Sequence, residues 1–311
     1  MKGRIIQSTG SWYKVETEDR KLYLCKLRGK FKIKGIKSTN PIAVGDLVEF
    51  QWNENQQIGQ ITEIKERHNY IIRKSVNLSK RSHIIAANID RALLVVTISN
   101  PRTSTGFIDR FLVSCEAYHI PVTLIINKID IYSNAEKDQM QQLIELYQRI
   151  GYSYLEVSAK EKTNLGALKA IMKAKISLLA GHSGVGKSAL INALDPEKDI
   201  RIGELSEAHS KGKHTTTFAQ MHHLSFDAYI IDSPGIKEFG LFDFQKMDLA
   251  HYFPEIRDYM EGCKFNNCTH THEPYCAVKE AVEKGEIALS RYQNYLNMFN
   301  GKEIDEVEYD N

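Results

Sequence analysis

Along the first 68 residues, apolar and polar positions alternate in short runs. GRIIQS, WYKVET and KLYLCKL come first, then PIAVGDLVEFQW and IGQITEIKE, with turn residues between them. Runs of period two broken by Gly, Pro, Asn and Asp predict strands, and no helical period competes with them. Five short strands in this span predict a small closed barrel, an OB-fold, with an SH3-like barrel as the alternative. From residue 69 to 238 the pattern changes. Wholly apolar runs (RALLVVTIS, VTLIINK, SYLEVSA, ISLLAG) alternate with amphipathic stretches such as FIDRFLVSCEAYHI and NAEKDQMQQLIELYQRI, and HHLSF and AYIIDSPG close the series. Buried strands alternating with helices predict an α/β domain on a mostly parallel sheet. From 239 to 311 no sheet pattern remains. EPYCAVKEAVEKG and IALSRYQNYLNMFN are helical in period, and the acidic EIDEVEYDN is expected to fray.

The chain therefore reads as multidomain: a barrel over 1–68, an α/β domain over 69–238 and a small helical domain over 239–311. Its 311 residues suffice for separate cores, and a net charge of +2 gives no global attraction to polyanions. No run approaches the roughly 20 apolar residues of a membrane span, and the N-terminus MKGRIIQSTGSW lacks a secretion pattern. A cytoplasmic protein that acts off the membrane, as a monomer, is the expectation.

Two short stretches carry specific chemistry. GHSGVGKS, residues 181–188, follows the apolar ISLLA and precedes the helical SALINAL. It fits the phosphate-binding loop G-x-x-x-x-G-K-[ST] in full. Gly181, Gly184 and Gly186 let the backbone of His182, Ser183 and Val185 curl so that N–H groups face phosphate oxygens, and the helix N-terminus at Ser188 and Ala189 adds its dipole. Lys187 would reach the β- and γ-phosphates and the Ser188 hydroxyl would ligate Mg²⁺.

The second stretch is NKID, residues 127–130, at the end of VTLIINK. Asp130 can accept from both N1–H and the 2-amino group of guanine. Adenine offers neither donor, so a buried Asp there would stay unpaired. Asn127 would support the loop and bond the O6/N7 edge, the Lys128 stem would cover the base face, and Ile129 completes the turn. Alone, this motif is no more than a strand-end turn. Ser158, Ala159 and Lys160 (SAK) follow at the next strand end, where a guanine-side loop offers an N–H to O6.

Asp232 and Gly235 in DSPG supply the D-x-x-G pattern, in which the Asp meets Mg²⁺ through water and the Gly amide senses the γ-phosphate. Upstream, KGKHTTT holds Thr216, placed to close over Mg²⁺ and the γ-phosphate, although such a stretch can also be a plain loop. The five elements thus run NKID, SAK, GHSGVGKS, TTT, DSPG, with the base reader ahead of the phosphate loop. Neither match is chance: a GTPase sheet has been cut and rejoined, a circular permutation that leaves the site intact because domain termini often lie close together. DSPG then leads straight into the C-terminal domain.

Of five cysteines, Cys263, Cys268 and Cys276 crowd together with histidines. Cys263, Cys268, His270 and Cys276 suit a closed tetrahedral Zn²⁺ site that would staple the small helical domain, and His272 could stand in for His270. Buried free cysteines are the plainer alternative.

The permuted order, GKHTTT, DSPGIKEFG and the Cys/His block together resemble the ribosome small-subunit-dependent GTPase A family, over essentially the whole chain. The resemblance implies a cytoplasmic enzyme that hydrolyses GTP to GDP and phosphate late in assembly of the small ribosomal subunit, in contact with its rRNA and stimulated by the subunit. It also favours His270 as zinc ligand, because the family pattern C-x-H-x-x-E-P-x-C is matched by CTHTHEPYC.

Where many GTPases carry a water-orienting Gln after D-x-x-G, this chain has Ile236, so intrinsic turnover should be slow. His214, with an unperturbed pKa of about 6.5, is the nearest candidate to position or deprotonate the water; a polar loop histidine without catalytic consequence is the alternative. For RNA, KLRGKFKIKGIK offers Lys26, Arg28, Lys30, Lys32, Lys34 and Lys37 around Phe31, a phosphate-tracking loop with an aromatic for stacking. Arg67, Arg73, Lys74, Lys80 and Arg81 extend that charge into the following linker, although a solvated basic loop is a common arrangement. Two other functions fit part of the sequence. One is a GTP-gated binding module for another structured RNA. The other is an ATP-dependent kinase on the same phosphate loop, against which Asp130 argues.

Overall fold

The alternating runs of the N-terminal region become β1 (Lys2–Ser8), β2 (Tyr13–Glu16), β3 (Leu22–Leu27), β4 (Leu47–Asn53) and β5 (Ile58–Ile64). The computed structural model describes residues 1–27, 41–74, 82–197, 219–232, 246–302 and 307–308, with 73–74, 82–83, 232 and 307–308 as backbone alone. Alternation turns Ile5, Tyr13, Val15, Cys25, Val48, Phe50 and Ile61 inward into one buried cluster. The strands pair in the order β1-β2-β3-β5-β4, β4 closes on β1, and β3 runs parallel to β5. This is the expected OB-fold. The parallel pair rules out an SH3-like barrel, whose neighbours run antiparallel.

A hairpin that the sequence does not announce follows the barrel: β6 (Tyr70–Lys74) pairs antiparallel with β7 (Ser82–Ala87). Arg73 and Lys74, expected in a linker, fall on β6. Among the hairpin's described residues the buried apolar ones are Ile71, Ile84, Ala86 and Ala87, too short a period-two run to stand out.

The α/β domain comprises β8 (Arg91–Val96), β9 (Arg102–Thr103), α1 (Thr105–Ala117), β10 (Val122–Ile126), α2 (Asn134–Ile150), β11 (Ser153–Glu156), α3 (Leu165–Met172), β12 (Ile176–Ala180), α4 (Lys187–Leu194), β13 (Gln220–Leu224) and β14 (Ala228–Asp232). Its main strands lie in the order β11-β10-β8-β12-β14-β13, parallel except for β13. Both faces are covered, which is why the central strands read as unbroken apolar runs. On β8, Ala92, Leu94 and Val96 pack toward α1 and α2, while Leu93 and Val95 pack toward α3 and α4. Helix starts and stops follow local chemistry. Ser104 caps α1 by accepting from Phe107 N, Ser133 and Glu136 form a capping box on α2, and Gly151 ends α2 at φ 108°. Successive connections step from β8 through β10 to β11, then return to β12 on the other side of β8. The crevice at the carboxyl ends of β8 and β12 is therefore the switch point, where ligands bind in such sheets.

The C-terminal domain consists of a 3₁₀ segment at Lys246–Tyr252, α5 (Pro254–Met260), α6 (Ala277–Glu283) and α7 (Leu289–Phe299). Its core of Leu249, Phe253, Ile256, Val278, Ala281 and Tyr295 also takes in Val113 of α1. Within the acidic tail, β15 (Val307–Glu308) pairs with β9, so the segment expected to fray is held by backbone there.

Candidate functional site

β12 delivers the chain into the phosphate loop beside β8. Gly181 (φ 139°) passes so close that a Cβ would sit 2.4 Å from Val95 O, and at Gly186 (φ 94°) a Cβ would sit 2.5 Å from Asn127 Nδ2. Only glycine fits either place. Gly186 then caps α4, which Lys187 and Ser188 begin and Ala189 continues. The Lys187 ammonium lies in the concavity of the loop, donating to Gly181 O and His182 O at 2.7 Å each. His182 is buried against Phe107 of α1, ring centroids 3.7 Å apart, and Val185 is buried beneath the loop while Ser183 and Gly184 face solvent.

Asn127 ties three loops together. Its Nδ2 donates to Val185 O at 2.8 Å in the phosphate loop, its Oδ1 accepts from Ala159 N at 3.2 Å in SAK, and it is 1% exposed. Lys128 takes the left-handed conformation (φ 66°), turning the chain so that Asp130 faces Ser158. The Ser158 hydroxyl donates to Asp130 Oδ1 at 2.6 Å and accepts from Glu161 N at 3.0 Å. One carboxylate oxygen of Asp130 is thereby fixed, and the group is oriented to accept. Ile129 N reaches back to Val157 O at 3.4 Å, and Lys160 is solvent-exposed and paired with Glu161. The Lys128 stem crosses the phosphate loop, since a Cβ at Gly186 would lie 3.9 Å from Lys128 Cε, and its ammonium donates to Asn100 O at 2.5 Å. Burial lowers the pKa of that ammonium, and Asp130 opposes the shift.

Asp232 ends β14 in register with Leu179 of β12, two residues short of Gly181. The phosphate loop, NKID, SAK and the D-x-x-G strand therefore meet at one edge of the sheet. Gly235, Ile236, Thr216 and His214 lie outside the described residues, as do Arg28, Lys30, Phe31, Lys32, Lys34, Lys37, Lys80 and Arg81. Lys26 is described, with its ammonium 4.0 Å from the centre of the Trp12 ring on the barrel surface.

Residues 97–103 belong to the site and no motif marks them. Tyr132 and Phe107 share that fate, because each matters only through contacts made across the fold. The one available hint is positional: 97–103 leaves the carboxyl end of a buried strand, where ligand loops sit.

In the C-terminal domain the ligand atoms of Cys263, Cys268, His270 and Cys276 all lie within 4.8 Å of one another. Cys263 Sγ is 3.6 Å from His270 Nδ1 and 3.9 Å from Cys276 Sγ, and His270 Nδ1 is 3.4 Å from Cys276 Sγ. Metal–sulfur bonds of about 2.3 Å in a tetrahedron give edges of about 3.8 Å, so these four groups fit Zn²⁺. His272 lies outside the cluster, its Nδ1 2.9 Å from Thr271 Oγ1. Glu273 braces the turn by accepting from Thr269 N at 2.8 Å and Thr271 N at 3.0 Å. Burial would raise its carboxyl, but these donors and the Thr269 hydroxyl override that and hold it at about 2.

Comparisons with known proteins bear on the family and the fold. Residues 64–242 match the family model described as RsgA GTPase, and residues 2–61 match the RsgA N-terminal domain. The chain is 54% identical over 303 residues to "Small ribosomal subunit biogenesis GTPase RsgA 2" of Bacteroides thetaiotaomicron, covering 97% of each. It is 52% identical over 305 residues to "Small ribosomal subunit biogenesis GTPase RsgA" of Christiangramia forsetii, again covering 97% of each. Among solved structures, YjeQ from Thermotoga maritima superposes with a TM-score of 0.79 at 38% identity, over 96% of this chain and 97% of that one. YloQ, described as a circularly permuted GTPase, gives 0.73 at 33% identity over 96% and 94%. With its base reader ahead of its phosphate loop and a barrel and a cysteine-rich domain on either side, the chain belongs to the RsgA family of circularly permuted GTPases.

Proposed function

We propose that this GTPase hydrolyses GTP to GDP and phosphate in late maturation of the small ribosomal subunit, binds rRNA and is stimulated by the subunit. The observation that carries the guanine reading is the Asn127 strut, which brings Asp130, SAK and the phosphate loop to one ligand. The subunit as partner comes from relatives of about half-identical sequence that carry that function in their names.

In this reading the backbone of 181–189 cradles the phosphates, Lys187 neutralises charge developing between the β- and γ-phosphates, and Asp130 reads N1–H and the 2-amino group. Ser188, Asp232 and Thr216 would hold Mg²⁺, which when bound supplies positive charge to the phosphate oxygens. Gly235 reports the γ-phosphate. His214 positions the attacking water, and Ile236, unable to donate or accept, leaves basal turnover slow until the subunit completes the site. The zinc site is structural, since three thiolates and one imidazole leave no position open. The barrel tracks rRNA phosphate with the Lys26–Lys37 loop, Lys26 standing over Trp12. In this reading the barrel spans 1–68, the GTPase domain 69–238 and the zinc domain 239–311. The protein acts as a cytoplasmic monomer; among the described residues no helix is long and apolar enough to cross a membrane.

The test is GTP turnover with and without purified small subunits, with large subunits as control. Slow basal turnover raised strongly by small subunits alone supports the proposal. A rate indifferent to both particles overturns it and leaves a GTP-gated binder of another RNA.

A further inference from the structure

We infer that Tyr132 is a positioning residue for guanine recognition, holding the NKID loop to the 97–103 loop so that base reader and phosphate loop stay at one spacing. The inference rests on Asp130 being the base reader.

Tyr132 follows NKID by two positions and is 5% exposed. Its hydroxyl donates to Asn127 O at 2.5 Å and accepts from Ile98 N at 3.0 Å. Both partners are backbone groups at the carboxyl ends of neighbouring strands, β10 and β8. The 97–103 loop is itself closed, since Thr103 N donates to Thr97 O at 2.9 Å and the Thr97 hydroxyl donates to Pro101 O at 2.5 Å. Its tip is tied to NKID a second time by Lys128 Nζ on Asn100 O, and Pro101 stands 3.2 Å from where a Cβ on Gly184 would lie. The loop thus bears on the phosphate loop on one side and on the base reader on the other. Asn127 spans the same gap from within. Without the Tyr132 hydroxyl, a buried N–H and a buried C=O lose their partner together, and the NKID backbone is free to shift. A shift of a few tenths of an ångström is felt most where a ligand is gripped at both ends, by phosphate and by base.

Phenylalanine keeps the ring and removes the hydroxyl. For Tyr132→Phe we expect GDP affinity to fall about ten-fold. IDP lacks the 2-amino group that Asp130 reads, so it loses less, and the preference for GDP over IDP narrows by about three-fold. A general loss of stability would weaken both ligands alike and leave that ratio unmoved. Asp130→Asn separates this inference from the reading beneath it, because an amide donor in place of the carboxylate should favour XDP, whose C2 carries a carbonyl. An Asp130→Asn chain that gains XDP, with a narrowed GDP/IDP ratio in Tyr132→Phe, supports the positioning role. A gain of XDP with an unchanged ratio overturns the role and leaves the base reader standing. Failure of the XDP switch overturns both. Should Tyr132→Phe not fold, amide exchange of the wild-type chain provides the reading. GDP should slow exchange in 98–103 together with 127–132, and protection of 127–132 alone overturns the link.

Discussion

At the scale of single residues, the site depends on contacts too close for substitution. Asn127→Ala removes two buried bonds that join three loops. At about 1–3 kcal/mol for each, GDP affinity should fall by about 30-fold or more, read by titration with a fluorescent GDP analogue. Gly186→Ala should be as damaging for a different reason. It forces a Cβ to within 2.5 Å of the same Asn127 amide, at a φ of 94° that a side chain rarely adopts. If either variant binds GDP as the wild type does, the strut is not what assembles the site. Asn127, Asp130 and Lys187 were legible in the sequence because phosphate and guanine impose fixed residue types at fixed spacing. Tyr132 and the 97–103 loop were not. The Tyr132 hydroxyl bridges two backbone groups, Asn127 O and Ile98 N, about thirty residues apart, and a backbone group leaves no mark on residue identity.

Among elements, the C-terminal domain carries a Cys/His cluster that fits zinc and a buried ionic node. With zinc on Cys263, Cys268, His270 and Cys276, chelation should remove a cross-link between them, and the core around Phe253 and Tyr295 should loosen with it. A thiol reagent should then titrate three cysteines per chain. Cys25 and Cys115 should stay unreactive until global unfolding, being buried in the barrel and in α1, where burial pushes both thiols up, that of Cys25 to about 12. Five reactive thiols at once would mean that the domains do not unfold separately.

The node lies where α7 meets α1. Arg291 donates to Asp109 Oδ1 at 2.6 Å and to Glu255 at 2.6 and 3.1 Å, and Tyr147 and Asn294 also donate to Asp109. Burial pushes the Asp109 carboxyl up, while Arg291 and the two neutral donors pull it back toward the ionised form that all three fit. Arg291→Met would strand Asp109 inside and should cost about 3–5 kcal/mol, measured by denaturant unfolding. A cost below about 1 kcal/mol would mean that water reaches the carboxylate. The helices were visible in the 3.6 period, and the zinc ligands in their spacing. This docking was not, because Asp109 and Arg291 stand 182 positions apart and each alone passes for a surface charge.

For the whole molecule, the order of motifs revealed the permutation, and the strand order of the sheet agrees with it. The sequence did not reveal that the barrel is locked to the GTPase sheet. β1 makes part of that lock by pairing antiparallel with β13, Gln7 opposite Gln220, and the turn before β4 adds to it by tying the barrel to the hairpin. Asp46, wholly buried, accepts from Arg67 Nε and Nη2 at 2.6 Å each. Gly45 O accepts from Arg4 at 3.0 Å in the barrel and from Asn88 at 3.1 Å after the hairpin, and Ala87 N donates to Val44 O at 2.8 Å. Gly45 has φ 95°, and a Cβ there would lie 1.9 Å from Ala87 O, so barrel and hairpin meet as closely as backbone permits. Gly45→Ala must therefore push the two apart. It touches none of the loops around Asp130 or Lys187, so GDP affinity and basal GTP turnover should stay within about two-fold of the wild type. If barrel and GTPase domain must grip the small subunit as one rigid piece, subunit-stimulated turnover should fall at least about ten-fold, with a larger radius of gyration in solution scattering. Full stimulation despite a displaced barrel would mean that the subunit is read by each unit independently, and that the lock at Gly45 serves folding alone.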